Sequence, residues 1–125
     1  MAGDGKDILI VEDEPFVVNV YKTKLSKEGF NVHVAEDGER GWQIAQEVKP
    51  DLILLDLILP KMNGFGVLEN LKSSEELKTI PVLILSNLGQ QSDIQKGLDL
   101  GAEDYLVKSD TSLKEVLEKI ESFIN

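Results

Sequence analysis

A chain of 125 residues, 42% apolar and 29% charged, has the size and composition of one compact domain, taken as residues 1–125. Its 23 acidic against 13 basic side chains leave a formal charge of −10, which argues against direct nucleic-acid binding and docking on anionic lipid but permits cations and basic protein partners. Without cysteine there is no disulfide, thiolate chemistry or Cys-based zinc site; with no apolar run of membrane-spanning length and no signal-peptide core in Met1 to Lys6, a cytoplasmic protein is expected.

Strand and helix alternate along the chain. Lys6 to Val11 holds Ile8-Leu9-Ile10-Val11, a continuous apolar run that suits a strand buried on both faces. A helix is predicted from Pro15 to Glu28, with Asp13 as N-cap and Pro15 in the first turn. Val18, Tyr21 and Leu25 fall at helical spacing, and Gly29 stops it. Asn31 to Ala35 reads as a shorter strand. Asp37 and Gly38 turn into a second helix with Gly41, Ile44, Ala45 and Val48 on one face, ended by Lys49 and Pro50. Leu52 to Leu55 is a third, wholly apolar strand, and Leu59 to Gly64 is loop. Phe65 to Ser73 is a third helix with Val67, Leu68 and Leu71 inward, and Ser73 to Lys78 reads as a solvated connection. Pro81 to Leu85 is a strand, Gln90 to Leu100 a helix and Glu103 to Val107 the fifth strand. The last helix gathers Leu113, Val116, Leu117, Ile120, Phe123 and Ile124 on one face, with Ser112 and Glu115 at capping-box spacing. Such alternation implies an α/β fold, a five-stranded parallel sheet with right-handed crossovers and helices on both faces.

In an open sheet of this kind ligands bind beyond the carboxyl ends of the strands. Glu12 and Asp13 follow the first strand, Asp56 the third, Ser86 the fourth and Lys108 the fifth, each directly after an apolar run. Carboxylates brought together repel unless a cation joins them, and oxygen-only ligands suit a hard ion such as Mg²⁺. A carboxylate can attack phosphorus to give an acyl phosphate, and a metal, Lys108 and the Ser86 hydroxyl can meet the charge on the phosphoryl oxygens.

Four segments carry a resemblance: ILIVEDE at Ile8 to Glu14, DLILLDLILPKMNG at Asp51 to Gly64, PVLILS at Pro81 to Ser86 and GAEDYLVK at Gly101 to Lys108. In this order and spacing they resemble response-regulator receiver domains, which accept a phosphoryl group on aspartate in histidine–aspartate phosphorelays. The resemblance implies a flavodoxin-like (βα)5 fold, doubly wound, with strand order 2-1-3-4-5. It implies a signalling domain rather than an enzyme, phosphorylated on Asp56 by a histidine kinase or histidine phosphotransfer protein. Mg²⁺ or Mn²⁺ would be held by Glu12, Asp13, Asp56 and the backbone carbonyl of Ile58. Lys108 would pair with the phosphoryl group, Ser86 would move to bond one of its oxygens, and the Tyr105 ring would turn inward in response. The output would be a downstream protein target met by the fourth helix, fifth strand and fifth helix, in a monomer or a phosphorylation-dependent homodimer. With no room for an effector, the chain would be a stand-alone regulator or an excised receiver. Two positions depart from the family pattern: Ser109 follows Lys108 where proline is usual, and Asn63 stands where aspartate is common. Ile58 and Leu88 are apolar where family side chains influence hydrolysis, so a long-lived phosphoform is expected.

Competing readings rest on the same residues. Glu12 and Asp13 alone would suit an ordinary helix start, and Ser86 and Lys108 are individually unremarkable. His33 reads as a surface-face residue, Trp42 as a cover over apolar surface, and Pro60 and Gly64 as loop scaffolding. A phosphatase using aspartyl-phosphate chemistry would carry an acid at position 58, which is isoleucine. A flavin-binding electron carrier would need a Ser/Thr/Gly-rich loop after the first strand, where Glu12-Asp13-Glu14-Pro15 stands. A degenerate docking module would not need the full acid, serine and lysine set.

Overall fold

The computed structural model describes residues 4–124; Met1, Ala2, Gly3 and Asn125 of the expected unit lie outside them. The strands are β1 (Asp7–Val11), β2 (Asn31–Ala35), β3 (Leu52–Leu55), β4 (Val82–Ser86) and β5 (Asp104–Val107). They alternate with α1 (Pro15–Lys27), α2 (Gly38–Val48), α3 (Gly64–Ser73), α4 (Gln91–Asp99) and α5 (Leu113–Ile124), and a 3₁₀ turn at Lys108–Asp110 leads into α5. All neighbouring strands are parallel, in the order β2-β1-β3-β4-β5, the doubly wound flavodoxin-like arrangement.

Alternation along the apolar runs builds two cores. Leu9, Val11, Ile53, Leu55, Val82 and Ile84 form one cluster with side chains of α2 and α3, with Ile94 of α4 packed against it. Ile8, Ile10, Leu52, Leu54, Leu83 and Leu85 form the other with Tyr21 and Leu25 of α1 and Val116, Leu117 and Ile120 of α5. Each such side chain contributes roughly 1.5–3 kcal/mol on burial, so strands apolar on both sides must lie at the centre of the molecule.

Helix starts follow local chemistry. The Asp37 carboxylate accepts the Arg40 N–H at 2.7 Å and opens α2. The Asn63 side chain accepts the Gly66 N–H at 3.1 Å and opens α3, so this residue is a helix cap as well as a turn. Ser112 and Glu115 bond reciprocally at the start of α5, as their spacing predicts. At α1 the expectation fails: Glu14, not Asp13, is the N-cap, and its side chain makes no capping bond. Pro15 at the helix start removes one N–H that would need a cap, and the Glu14 N–H turns back onto Glu12 Oε2 at 3.1 Å. The connection after α3 is solvated only in part, because Leu77 is buried in the core there.

Candidate functional site

Strand order reverses at β1 and β3, whose outgoing helices pack on opposite faces, so a crevice opens beyond their carboxyl ends. Glu12 enters it from β1 and Asp56 from β3. Both are buried, at 3% and 6% exposure, because the apolar runs that carry them end inside the molecule. Backbone proximity fixes the Asp56 loop further. A Cβ on Gly64 would lie 2.3 Å from the Asp56 carbonyl oxygen, and the Gly64 N–H bonds to the Leu57 carbonyl at 3.0 Å. Gly64 is therefore scaffolding required by the site, and any side chain there would push the Asp56 segment away.

The Asp56 carboxylate is held at both oxygens. Oδ1 accepts the Leu57 N–H at 2.7 Å and the Ile58 N–H at 3.3 Å. Oδ2 accepts from the Lys108 ammonium at 3.0 Å, and the same ammonium lies 2.5 Å from Glu12 Oε1. Oxygens of Glu12, Asp13 and Asp56 all lie within 4.8 Å of one another, with Asp13 exposed at the rim. Burial pushes the Glu12 carboxyl above its ordinary range and the neighbouring Asp56 charge adds to this, opposed by the bond to Lys108. For Lys108, burial pulls downward, but its bonds to Glu12 and Asp56 outweigh it, so the ammonium holds its proton more tightly than usual. One lysine against these carboxylates leaves net negative charge, and the donors are hard oxygens. That set fits a divalent cation of the Mg²⁺ or Mn²⁺ kind.

The cleft, of about 250 Å³, is lined by Glu12, Asp13, Glu14, Asp56, Ile58, Asn87 and Lys108. Of the residues expected there from sequence, Ser86 is not on its wall. Its side chain is fully buried and its Oγ accepts the Leu88 N–H at 3.3 Å. The Leu88 carbonyl in turn accepts the Tyr105 hydroxyl, so Leu88 joins Ser86 to the buried Tyr105 ring. Burial first, then the charges of Asp93 and Asp56, push the Tyr105 phenol up to about 12. Ile58 is 56% exposed and Leu88 half-buried. His33 and Trp42 lie outside the cleft: His33 bonds to Asp7, and Trp42 packs on the core.

Sequence reasoning missed Glu14 and Asn87 on the cleft wall. Extending the rule of polar residues after strands by one position would have found Asn87, which follows Ser86. At the departure from the family pattern, Ser109 lies in the 3₁₀ turn Lys108–Asp110, and among the described residues no peptide bond is cis. The Ser109 N–H, which proline would lack, donates to Asn87 Oδ1 at 3.2 Å.

Comparison with known proteins agrees with this geometry. The family model described as response regulator receiver domain matches residues 8–121. The DNA-binding dual master transcriptional regulator RpaA of Synechocystis is 40% identical over 117 residues, covering 94% of this chain and 48% of that protein. This chain spans about half the length of this and similar curated relatives. Among solved structures, the receiver domain of sensor histidine kinase PA1611 from Pseudomonas aeruginosa is 28% identical, with a TM-score of 0.87 over 96% of this chain and 98% of that one. It holds a magnesium ion in its active-site cleft. The Mn²⁺-bound form of response regulator Rcp1 is 31% identical, with a TM-score of 0.80 over 94% of this chain and 90% of that one. With the family model matched over residues 8–121, a parallel sheet of order β2-β1-β3-β4-β5 and an acidic cleft at its carboxyl edge, this chain belongs to the response regulator receiver domains, the phosphoacceptor modules of two-component signalling.

Proposed function

We propose that this receiver, stand-alone or part of a longer regulator, takes a phosphoryl group from phosphohistidine onto Asp56. The donor is a histidine kinase or a histidine phosphotransfer protein. The observation that carries the reading is Asp56 itself: a buried carboxylate, 3.0 Å from the Lys108 ammonium, with Glu12 and Asp13 oxygens within 4.8 Å. The two amides on Oδ1 fix the carboxylate plane before a donor arrives, which lowers the entropic part of the barrier. An Asp56 oxygen forms the new O–P bond as the N–P bond breaks. The bonding pair returns to the donor imidazole, which leaves neutral with its proton on the other nitrogen. Glu12, Asp13, Asp56 and the Ile58 carbonyl would hold Mg²⁺ or Mn²⁺, supplying positive charge against the carboxylates and the phosphoryl oxygens. Lys108 can exchange Asp56 Oδ2 for a phosphoryl oxygen without leaving the cleft.

Switching follows from the Leu88 junction. If Ser86 turns its hydroxyl to a phosphoryl oxygen, the Leu88 N–H loses its acceptor, and the Tyr105 hydroxyl bonded to the Leu88 carbonyl feels the shift. The output surface is then α4, β5 and α5, and the state that phosphorylation favours must differ there. A domain at −10 meets a downstream protein, or a second copy of itself, rather than nucleic acid. Among the described residues no helix is long and apolar enough to cross a membrane, and a cytoplasmic setting suits a kinase partner.

The test is intact mass after incubation with acetyl phosphate and Mg²⁺, beside Asp56→Asn. A phosphoryl increment is expected in the unaltered protein, lost in the variant and without divalent cation. Its later decay should be slow, because neither Ile58 nor Leu88 can orient a water molecule through its side chain. No increment with any donor would overturn the reading and leave a docking module.

A further inference from the structure

Asn87 is an unassigned residue on the cleft wall, and its side chain reaches from one strand end to another. It follows Ser86 at the end of β4, and its Oδ1 accepts the N–H of Ser109, which follows Lys108 at the end of β5. The bond therefore joins the neighbours of the two side chains that would meet a phosphoryl group. The amide can face only one way here, since its NH₂ turned toward an N–H would set donor against donor. Other ties close the far side of the same turn: Thr111 Oγ1 donates to the Val107 carbonyl at 2.8 Å, and the Thr111 N–H reaches the Lys108 carbonyl at 3.5 Å. The Asn87 bond holds its near side.

We propose that Asn87 is a positioning residue for Lys108. By holding the Ser109 N–H it sets how the chain leaves β5, and so where the ammonium is aimed. It also couples a displacement at the end of β4 to the lysine turn. The inference rests on the reading of Asp56 and Lys108 given above. Both bonded residues are exposed, so water competes for the bond. The expected loss is correspondingly modest, about two- to tenfold in phosphorylation rate.

The test is a double-mutant cycle on the whole chain, using acetyl phosphate and Mg²⁺, with amide hydrogen exchange at residue 109 as second readout. Asn87→Ala should slow phosphorylation about two- to tenfold, deprotect the Ser109 amide and leave the melting midpoint unmoved. Asn87→Asp, which keeps an acceptor oxygen, should restore amide protection. The cost of Asn87→Ala should persist in Ser109→Ala, which keeps the N–H, and vanish in Ser109→Pro, which lacks it. A wild-type rate in Asn87→Ala, or a cost undiminished in Ser109→Pro, would overturn the proposal. So would an unchanged Ser109 amide in Asn87→Ala, a result readable even if the unaltered protein takes no phosphoryl group. That last failure would belong to Asp56 and not to Asn87.

Discussion

The two edges of the sheet handle charge in opposite ways. At the amino edge, polar groups meet complementary partners. Asp7 Oδ1 lies 2.9 Å from His33 Nε2, and the Asp7 N–H donates to Asp51 Oδ2 at 2.7 Å. Lys72 donates to the Lys78 and Ile80 carbonyls, each at 3.1 Å, and to Glu103 Oε1 at 3.3 Å; Glu103 Oε2 accepts the Val82 N–H at 2.5 Å. At the carboxyl edge, Glu12, Asp13 and Asp56 crowd together, and the one ammonium among them, that of Lys108, bonds to Glu12 and Asp56. The two regions use their bonds for different ends. One edge spends its polar groups on holding helices and strands together; the other keeps an excess of negative charge whose use lies outside the folded chain.

Substitutions should separate the edges, and the largest effect is expected from Asp13→Asn. Asp13 is exposed and caps no helix, so what its carboxylate offers is charge and a candidate oxygen ligand in the cleft. In metal-free buffer the variant should be at least as stable as the unaltered protein, with one fewer like charge in the cleft. Saturating Mg²⁺ should stabilise the unaltered protein by about 2.7 kcal/mol at a hundredfold excess over Kd, and the variant far less at the same concentration. Phosphorylation by acetyl phosphate should fall by more than about tenfold, since a charge on the cation site is lost. Melting curves with and without Mg²⁺ decide it. A variant destabilised without metal would mean that the carboxyl edge also holds the fold together. Lys72→Met is the mirror experiment. It leaves two carbonyls and Glu103 without their common donor at a largely buried position, at a cost of about 1–3 kcal/mol. The urea midpoint should drop while phosphorylation is retained.

This contrast was only partly legible in the sequence. Ile8 to Val11 and Leu52 to Leu55 declare buried strands because periodicity and composition agree, and their ends put Glu12 and Asp56 in the cleft whatever the loops do. Lys72 gave no such signal. On a helix end it reads as a cation near the last turn, and its carbonyl partners become visible only once the connection after α3 folds back. The Ser86 hydroxyl faces Leu88 rather than the cleft for a similar reason. Its direction is a rotamer choice set by the nearest unpaired N–H, and no residue pattern encodes it. The bond between Asn87 and Ser109 depends on the exact register of β4 and β5, two segments separated by a whole helix.

A smaller effect joins the acidic edge to the α4 and β5 face. The Tyr105 phenol, raised to about 12 by burial and by Asp93 and Asp56, holds its proton longer in the folded than in the unfolded chain, where 10.0 applies. Its contribution to stability is therefore complete below pH 10 and is lost as pH rises toward 12. Tyr105→Phe should remove this part of the alkaline loss. Tyr21, which burial also raises, and Lys108 and Lys119, whose carboxylate partners hold their protons, contribute to the remainder. Tyrosinate absorbance followed against pH gives the answer, and ionisation of Tyr105 at the ordinary value would detach the ring from the site's charges.

The smallest effect should come from the amino edge, at the pair of His33 and Asp7. Both side chains are about one-third exposed, at 33% and 36%, so water screens their interaction and replaces it cheaply. His33→Gln keeps an amide donor and removes the ring. The expected change in stability is under about 1 kcal/mol, with phosphorylation unaltered. The Asp7 backbone stays anchored in this variant, because its N–H bonds to Asp51 and its carbonyl accepts the Asp51 N–H at 2.8 Å. A loss well above that figure in urea denaturation would mean that the edge strand β2 depends on this one contact. A small loss would locate the stability of the amino edge in the half-buried Lys72 cluster, where one ammonium ties three acceptors together.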